Sequence, residues 1–162
     1  MLALQLVRPE DEGEVLAFER DNRTYFTRSI NDQGDSFFDE YPERHRELMA
    51  EQDAGTAAFY LAVDDQGAVV GRFNLYRMSD ATAEVGYRVA ERVSGKGVAT
   101  SGVRALCRLA RDDLGLSTLT ATTSDANVAS QRVLVKAGFT YVEPIEVAGR
   151  PGALFSIELA VL

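Results

Sequence analysis

Cysteine, histidine and long apolar segments are all scarce in this sequence. Its 162 residues include one cysteine, Cys107, and one histidine, His45. A single cysteine excludes an internal disulfide framework and fits a reducing compartment, and no His/Cys cluster has the spacing of a metal site. No apolar run approaches the ~18 residues that a membrane span requires. We therefore predict a cytoplasmic protein without a metal centre, with Cys107 packed inside and His45 exposed on a helix.

The start of the chain lacks the features of a targeting segment. MLALQLVRPEDE has no basic stretch before its apolar residues, and it turns acidic immediately after them. This pattern predicts no signal peptide.

Lysine is absent from residues 1–60, which hold 14 Asp and Glu against 6 Arg. The whole chain has a formal net charge of −8. This balance argues against broad binding to nucleic acid, which depends on clustered lysine and arginine. The acidic first region favours a cationic partner, and the alternative is that the acids provide solubility only.

The charge reverses between Gly86 and Arg111, where the only acid is Glu91. A basic segment inside an acidic protein favours a second, anionic ligand. The alternative is a solvated helix face that carries arginines at helical spacing. The basic residues of the segment are Arg88, Arg92, Lys96, Arg104, Arg108 and Arg111.

The hydrophobic pattern predicts one domain, residues 1–162, of the α/β class (mixed α+β). Apolar alternation and turn residues indicate strands at 2–7, 57–63, 68–78, 82–89, 117–123, 139–147 and 153–162. Helical spacing indicates helices at 9–22, 37–52 and 98–114, and a last helix that is capped by Ser124 or Asp125 and ends at Ala137. This order predicts a mixed sheet that is covered by helices.

A glycine-rich loop, AERVSGKGVATSG at 90–102, joins a predicted strand to a predicted helix. Such a junction presents backbone N–H groups to an anion. It is not a Walker loop, because Ala90 takes the place of the first glycine, and Thr100 stands where a dinucleotide loop needs a third glycine or alanine. The pattern R-x-x-G-x-G at Arg92, Gly95 and Gly97 remains, and by itself a structural turn explains it equally well.

Two further segments accompany this loop, AEVGYRV at 83–89 and NVASQRVLVKAGF at 127–139. Together with FERDNRTYF at 18–26, they resemble the GCN5-related N-acetyltransferase (GNAT) superfamily, and its Rim-type branch in particular. The resemblance implies a mixed, mostly antiparallel sheet of about seven strands, with helices on both faces and one splayed pair of strands. It also implies transfer of an acetyl group from acetyl-CoA to a primary amine, without a metal.

The resemblance assigns cofactor-binding roles residue by residue. Main-chain groups of Tyr87, Arg88 and Val89 would bind the pantetheine, and Asn127 would contact the same arm. The loop would hold the pyrophosphate through its N–H groups, with help from Arg92 and Lys96. The residues of this predicted clasp are Arg92, Val93, Ser94, Gly95, Lys96, Gly97, Val98, Ala99 and Thr100.

Catalytic roles follow from the same resemblance. Glu84 occupies the position of a general base, and the alternative is an ion pair with Arg72 or Arg77. A main-chain N–H near Val89 would stabilise the oxyanion.

The general acid departs from the family pattern, because Leu134 stands where many relatives have a tyrosine. Ser130 lies one helical turn earlier and would protonate or hydrogen-bond the sulfur, unless it is only a small packing residue. Tyr141 is a second candidate. Tyr25 and Phe26 would line the acceptor side.

The acceptor is predicted to be a cationic amine, with the N-terminal α-amine of a protein (the ribosomal-protein-alanine type) as the leading hypothesis. A small-molecule amine or antibiotic is the enzymatic alternative. A non-catalytic acetyl-CoA-binding regulatory domain is the alternative from another class. Either a monomer or a homodimer is compatible with the sequence.

Overall fold

Seven strands form one sheet, and the computed structural model describes it within residues 2–162. The strands are β1 (Leu4–Leu6), β2 (Ala58–Val63), β3 (Val69–Tyr76), β4 (Thr82–Val89), β5 (Thr118–Ser124), β6 (Thr140–Val147) and β7 (Arg150–Glu158). Their order is β1-β2-β3-β4-β5-β7-β6, and only the β4–β5 pair is parallel. The predicted mixed, mostly antiparallel sheet is confirmed.

Helices cover both faces of this sheet. They are α1 (Glu12–Asp21), α2 (Arg23–Phe26), α3 (Asp35–Asp39), α4 (Tyr41–Asp53), α5 (Val98–Asp112) and α6 (Val128–Ala137). On one face, Leu106 of α5 and Leu134 of α6 belong to the same buried cluster as Phe73 of β3. On the other face, Val15 of α1 packs in a cluster with Phe59 of β2. The two faces therefore have separate apolar cores.

Helix α5 lies unusually close to the sheet. A Cβ added at Gly102 would overlap the ring of Phe73, so glycine is required for this approach. Cys107 on the same helix is buried, as predicted. Within residues 2–162, no helix combines the length and the apolar character needed to cross a bilayer.

Three local predictions are wrong. The helix expected at 37–52 is two helices, α3 and α4, because Pro42 has no N–H with which to continue the first one. The cap of α6 is Asn127, whose side chain accepts from the N–H of Ser130, rather than Ser124 or Asp125. His45 is buried at 2% exposure, where its ring nitrogens contact the Tyr41 hydroxyl (3.2 Å) and the Arg8 carbonyl (3.0 Å).

The parallel strands β4 and β5 separate part of the way along their length. They pair from Thr82 opposite Thr118 to Glu84 opposite Thr120, and no further. Beyond that point β4 continues to pair with β3, and β5 continues to pair with β7. Because each strand stays with its outer neighbour, a wedge-shaped opening forms between them. The predicted splayed pair is confirmed, and we call this opening the split.

Candidate active site

A cavity of about 360 Å³ occupies the split. Residues 85–87 of β4 and residues 121–124 of β5 form its sides, and α6 with its cap residue contributes Asn127, Ser130 and Leu134 at its base. Residues 27–31 and the turn between β6 and β7 complete its mouth. Its size and its mixed polar and apolar lining are typical of a ligand site.

The main chain of β4 presents hydrogen-bonding groups to this cavity. The N–H of Ala90 donates to the Val70 carbonyl on the β3 side, at 2.8 Å. Because successive residues of a strand point their main-chain groups to opposite edges, those of Val85, Tyr87 and Val89 face the split. The same alternation turns the main chain of Arg88 towards β3, which removes it from the predicted contact with pantetheine.

The glycine-rich loop has free donors. Gly95 and Gly97 have φ angles of +74° and +80°, and a Cβ at either position would meet nothing within 4 Å. Within residues 2–162, the N–H groups of Gly95, Gly97, Val98, Ala99 and Thr100 have no hydrogen-bond acceptor. They lie at the N-terminus of α5, a helix of 15 residues. The loop therefore has the geometry of an anion site.

Other parts of the predicted clasp are already engaged. The N–H groups of Val93 and Ser94 donate to the carbonyls of Ala90 and Glu91 (3.1 and 3.0 Å), within a 3₁₀ turn at Glu91–Val93. The Arg92 guanidinium pairs with Asp64 at 3.3 Å, beside a wider cavity of about 870 Å³ between α1 and the β2–β3 turn. Lys96 is exposed at the tip of the loop.

Two hydroxyl groups meet at the base of the split. The Tyr87 hydroxyl lies 3.0 Å from Oγ of Ser130, and both residues line the cavity. Burial raises the pKa of Tyr87, so the phenol stays protonated at neutral pH. Leu134, at the position of the family tyrosine, lies in the same cavity. The sequence predicted only a main-chain role for Tyr87, although strand alternation places its side chain on the α6 side.

Glu84 is the last residue of β4 that pairs with β5. The next residue, Val85, is the first of β4 to line the cavity. The carboxylate of Glu84 accepts a hydrogen bond from Arg77 at 3.1 Å, and its side chain is 30% exposed. Arg77 itself has a φ of +49°. Tyr141, the second candidate acid, is 57% exposed on β6 and packs edge-on against Phe155, outside the cavity lining.

The two aromatics expected on the acceptor side lie behind the cavity wall. Phe26 is 8% exposed in a cluster with Phe18, and the Arg88 guanidinium stacks on its ring at 4.8 Å. Tyr25 is half-buried beneath Arg28, at 5.6 Å. Residues 27–31, which follow them, line the mouth of the cavity instead. Within the described part of the chain, no group of three or more His, Cys, Asp and Glu side chains has a metal-binding arrangement.

Comparison with known proteins identifies the class to which this site belongs. A family model described as an acetyltransferase (GNAT) domain matches residues 2–140. The chain therefore belongs to the GNAT acetyltransferase family, as the sequence motifs predicted. It is an N-acetyltransferase, and acetyl-CoA is its acetyl donor.

Known proteins resemble this chain in sequence or in fold, and the names of the two solved structures state different acceptors. The probable N-acetyltransferase YjcK of Bacillus subtilis is 30% identical over 142 residues, or 82% of this chain and 78% of that protein. A ribosomal-protein-S5-alanine acetyltransferase from Vibrio fischeri has a similar structure (TM-score 0.87, 18% identity, 96% and 91% of the two chains). So does a spermidine N-acetyltransferase SpeG chimera from Vibrio cholerae (0.82, 16%, 99% and 96%).

Proposed function

We propose that this protein acetylates the N-terminal α-amine of a protein or peptide, by direct attack of the amine on the acetyl-CoA thioester. The observation that carries the proposal is the split beside the free N–H groups of the 95–100 loop. The cavity in the split is open at its mouth, between residues 27–31 and the β6–β7 turn, where a chain end can enter. The likeness to Rim-type structures supports this acceptor, and the single free cysteine supports a cytoplasmic location.

Acetyl-CoA, when bound, supplies the acetyl group as a thioester. The N–H groups of Gly95, Gly97 and the first turn of α5 would hold its pyrophosphate, and Lys96 would add a positive charge. The main chain of Tyr87 and Val89 would bind the pantetheine, and Asn127 lies at the edge of the same cavity. The residues present therefore fit the pyrophosphate and the pantetheine, because both would meet main-chain groups that the protein leaves free.

The chain's own groups would then move the protons. Glu84 would accept the proton from the ammonium through water, because Glu84 does not line the cavity itself. An α-amine with a pKa of ~7.7–8.0 loses its proton more readily than a lysine at ~10.4, which favours an N-terminal acceptor for a base so placed. The N–H of Val89 would donate to the carbonyl oxygen as negative charge develops on it. The carbon–sulfur bond then breaks, the sulfur receives a proton from the protein, and the second proton lost by the nitrogen restores that donor.

We expect the Tyr87–Ser130 hydroxyl pair to supply the proton that the sulfur receives. Tyr87→Phe and Ser130→Ala should each lower kcat by about tenfold, and the double variant should lose little more, because the two hydroxyls act as one unit. The dissociation constant for acetyl-CoA should change little, since neither hydroxyl contacts the 95–100 loop.

Tyr141→Phe is the comparison for this experiment, since it removes a tyrosine hydroxyl outside the cavity. A loss of activity in Tyr141→Phe with none in Tyr87→Phe would transfer the proton-donor role to Tyr141. Additive losses in the double variant would show that Tyr87 and Ser130 act independently.

The acceptor is tested by measuring CoA release with a panel of amines. The panel contains an alanine-initiated peptide, the same peptide with a blocked N-terminus and an internal lysine, and small polyamines. We expect kcat/KM for the free N-terminus to exceed that of the other amines by at least about tenfold. Burial raises the pKa of the Cys107 thiol to about 11, so the enzyme's own cysteine will not disturb a thiol-based assay.

Each alternative has its own signature in this panel. A preference for the small amines would favour a small-molecule acetyltransferase, to which the cavity volume of about 360 Å³ is also suited. Acetyl-CoA binding without turnover of any amine would indicate a regulatory domain. Turnover of the blocked peptide alone would point to a lysine acceptor.

A further inference from the structure

A second cavity adjoins the split on the face that α1 to α4 cover. Its volume is about 280 Å³, and it shares Gly86 and Tyr87 with the cavity in the split. Gly86 has no side chain, and the Tyr76 ring packs 2.7 Å from where a Cβ would stand. The two cavities therefore lie on either side of the same short stretch of β4, and the second cavity is next to an amine in the split.

The charged side chains that line the second cavity are all arginines. They are Arg44, Arg72 and Arg88, and no Asp or Glu lines it within the described residues. Arg72 and Arg88 lie directly opposite each other on β3 and β4, an arrangement that like charges normally avoid. Such a lining favours an anion.

One buried carboxylate holds this arginine pair but does not neutralise it. Glu19 of α1, 1% exposed, accepts from Arg72 at 3.0 Å and from Arg88 at 2.8 Å. Arg44 is separately paired with Glu47 at 3.0 Å. Two guanidinium groups against one carboxylate leave one positive charge at the floor of the cavity, where the Arg72 side chain is only 12% exposed. A charge so placed is stabilised by a second anion.

Two buried polar atoms beside the pair also have no partner in the described chain. They are Nε of Arg72 and Oδ1 of Asn74, and Asn74 is 6% exposed. The amide nitrogen of Asn74 is used, since it donates to the Tyr76 hydroxyl at 2.8 Å. Buried polar groups are ordinarily hydrogen-bonded, so orphaned atoms beside an uncompensated charge indicate a missing polar ligand.

We propose that the second cavity binds a carboxylate of the acceptor molecule through Arg72 and Arg88. This inference rests on the proposed function and adds its substrate class, an amine that also carries an acidic group. Arg88 lies two strand residues from Gly86, so the carboxylate would bind about 7 Å from an amine in the split. The acidic residues 1–60 favoured a cationic acceptor, but within the described residues the acids that contact the arginines of this cavity, Glu19 and Glu47, are already paired with them.

The experiment compares acidic acceptors with their neutral amides. C-terminally amidated peptides that begin Ala-Glu and Ala-Gln, and the α-amides of glutamate and glutamine, are acetylated by the wild type and by Arg88→Gln. We expect the wild type to favour the acidic member of a pair by about tenfold or more in kcat/KM, because a charge-assisted hydrogen bond is lost in the amide. The pair that shows the preference distinguishes a side-chain carboxylate of a peptide from that of a single amino acid.

The readout is kcat/KM for the acidic acceptor divided by kcat/KM for the neutral one, so a general loss of activity does not count as support. In Arg88→Gln the ratio should fall close to one, and Arg88→Lys should keep part of it. Arg46→Gln makes the same charge change on the exposed face of α4 and should retain the wild-type ratio. A wild type without the preference, or an Arg88→Gln variant that keeps it, overturns the proposal.

Failure of the proposed function gives a different result from failure of this inference. If no amine is acetylated, the proposed function is wrong, and thermal unfolding with N-acetylglutamate then tests the cavity alone. Stabilisation of the wild type but not of Arg88→Gln supports the carboxylate site. Equal stabilisation of the two proteins, or none of either, contradicts it.

Discussion

Glu84→Gln should lower kcat/KM by about tenfold at neutral pH, because the amide cannot accept the proton of the acceptor ammonium and only about a tenth of an α-amine is already deprotonated there. The substitution keeps the size of the side chain. The new amide can still contact Arg77, so the fold should be retained. The dissociation constant for acetyl-CoA should stay near that of the wild type, since Glu84 lies outside the cavity lining.

The pH dependence separates a base from a purely structural residue. In Glu84→Gln only acceptor that is already deprotonated can react, so kcat/KM should rise about tenfold per pH unit until the α-amine has titrated, at ~7.7–8.0. The wild type should depend on pH much less over that range. The deficit of the variant should therefore shrink markedly by pH ~9.

Glu143→Gln provides the matched comparison, because it makes the same change at an exposed position of β6. It should leave both the rate and the pH profile unaltered. If Glu84→Gln keeps the wild-type rate, or loses activity with an unchanged pH profile, Glu84 is not the base. Its role would then be the ion pair with Arg77.

Local patterns were enough to predict most of the fold. The strand at Thr82–Val89 was predicted at its observed bounds, because alternation and turn residues are properties of neighbouring positions. The cap of α6 was not predicted correctly, since Ser124, Asp125 and Asn127 are all good capping residues. The pairing of β5 with β7 determines which of them caps the helix. The N–H of Asp125 donates to the Pro151 carbonyl at 2.9 Å, which extends the β5–β7 ladder and delays the helix.

The burial of His45 was detectable but was masked by its charged neighbours. PERHREL suggests an exposed helix face, yet His45 follows Tyr41 by four residues and precedes Leu48 by three. These spacings place it on the buried stripe of α4. Of its two hydrogen-bond partners Tyr41 is local, but Arg8 lies 37 positions away, so the second half of the compensation for burial has no local signal.

The candidate site was also predictable only in part. The clasp and the split each depend on a contiguous segment of sequence, a loop and a strand, and motifs typical of the family mark both segments. The second cavity could not be predicted in this way, because Glu19 contacts Arg72 and Arg88 from 53 and 69 positions away in the sequence. The composition of residues 1–60 suggests that all their acids attract a cationic partner. The fold instead buries Glu19 against two arginines and leaves other acids in solvent.

Glu19→Gln should reduce the free energy of unfolding by about 3–5 kcal/mol, the range for breaking a buried ion pair at one end. The carboxylate is 1% exposed and accepts from two guanidinium groups. Its removal leaves Arg72 and Arg88 opposite each other on neighbouring strands, with no negative charge between them. Urea denaturation, followed by circular dichroism, should show a lower midpoint with an unchanged slope.

Glu14→Gln makes the same change on the exposed side of α1 and should shift the stability by no more than about 0.5 kcal/mol. A second substitution separates lost attraction from unrelieved repulsion between the arginines. If repulsion dominates, Glu19→Gln combined with Arg72→Met should be more stable than Glu19→Gln alone. A Glu19→Gln variant as stable as Glu14→Gln would mean that solvent or a bound anion already neutralises the pair. The buried carboxylate would then not be what holds α1 against the sheet.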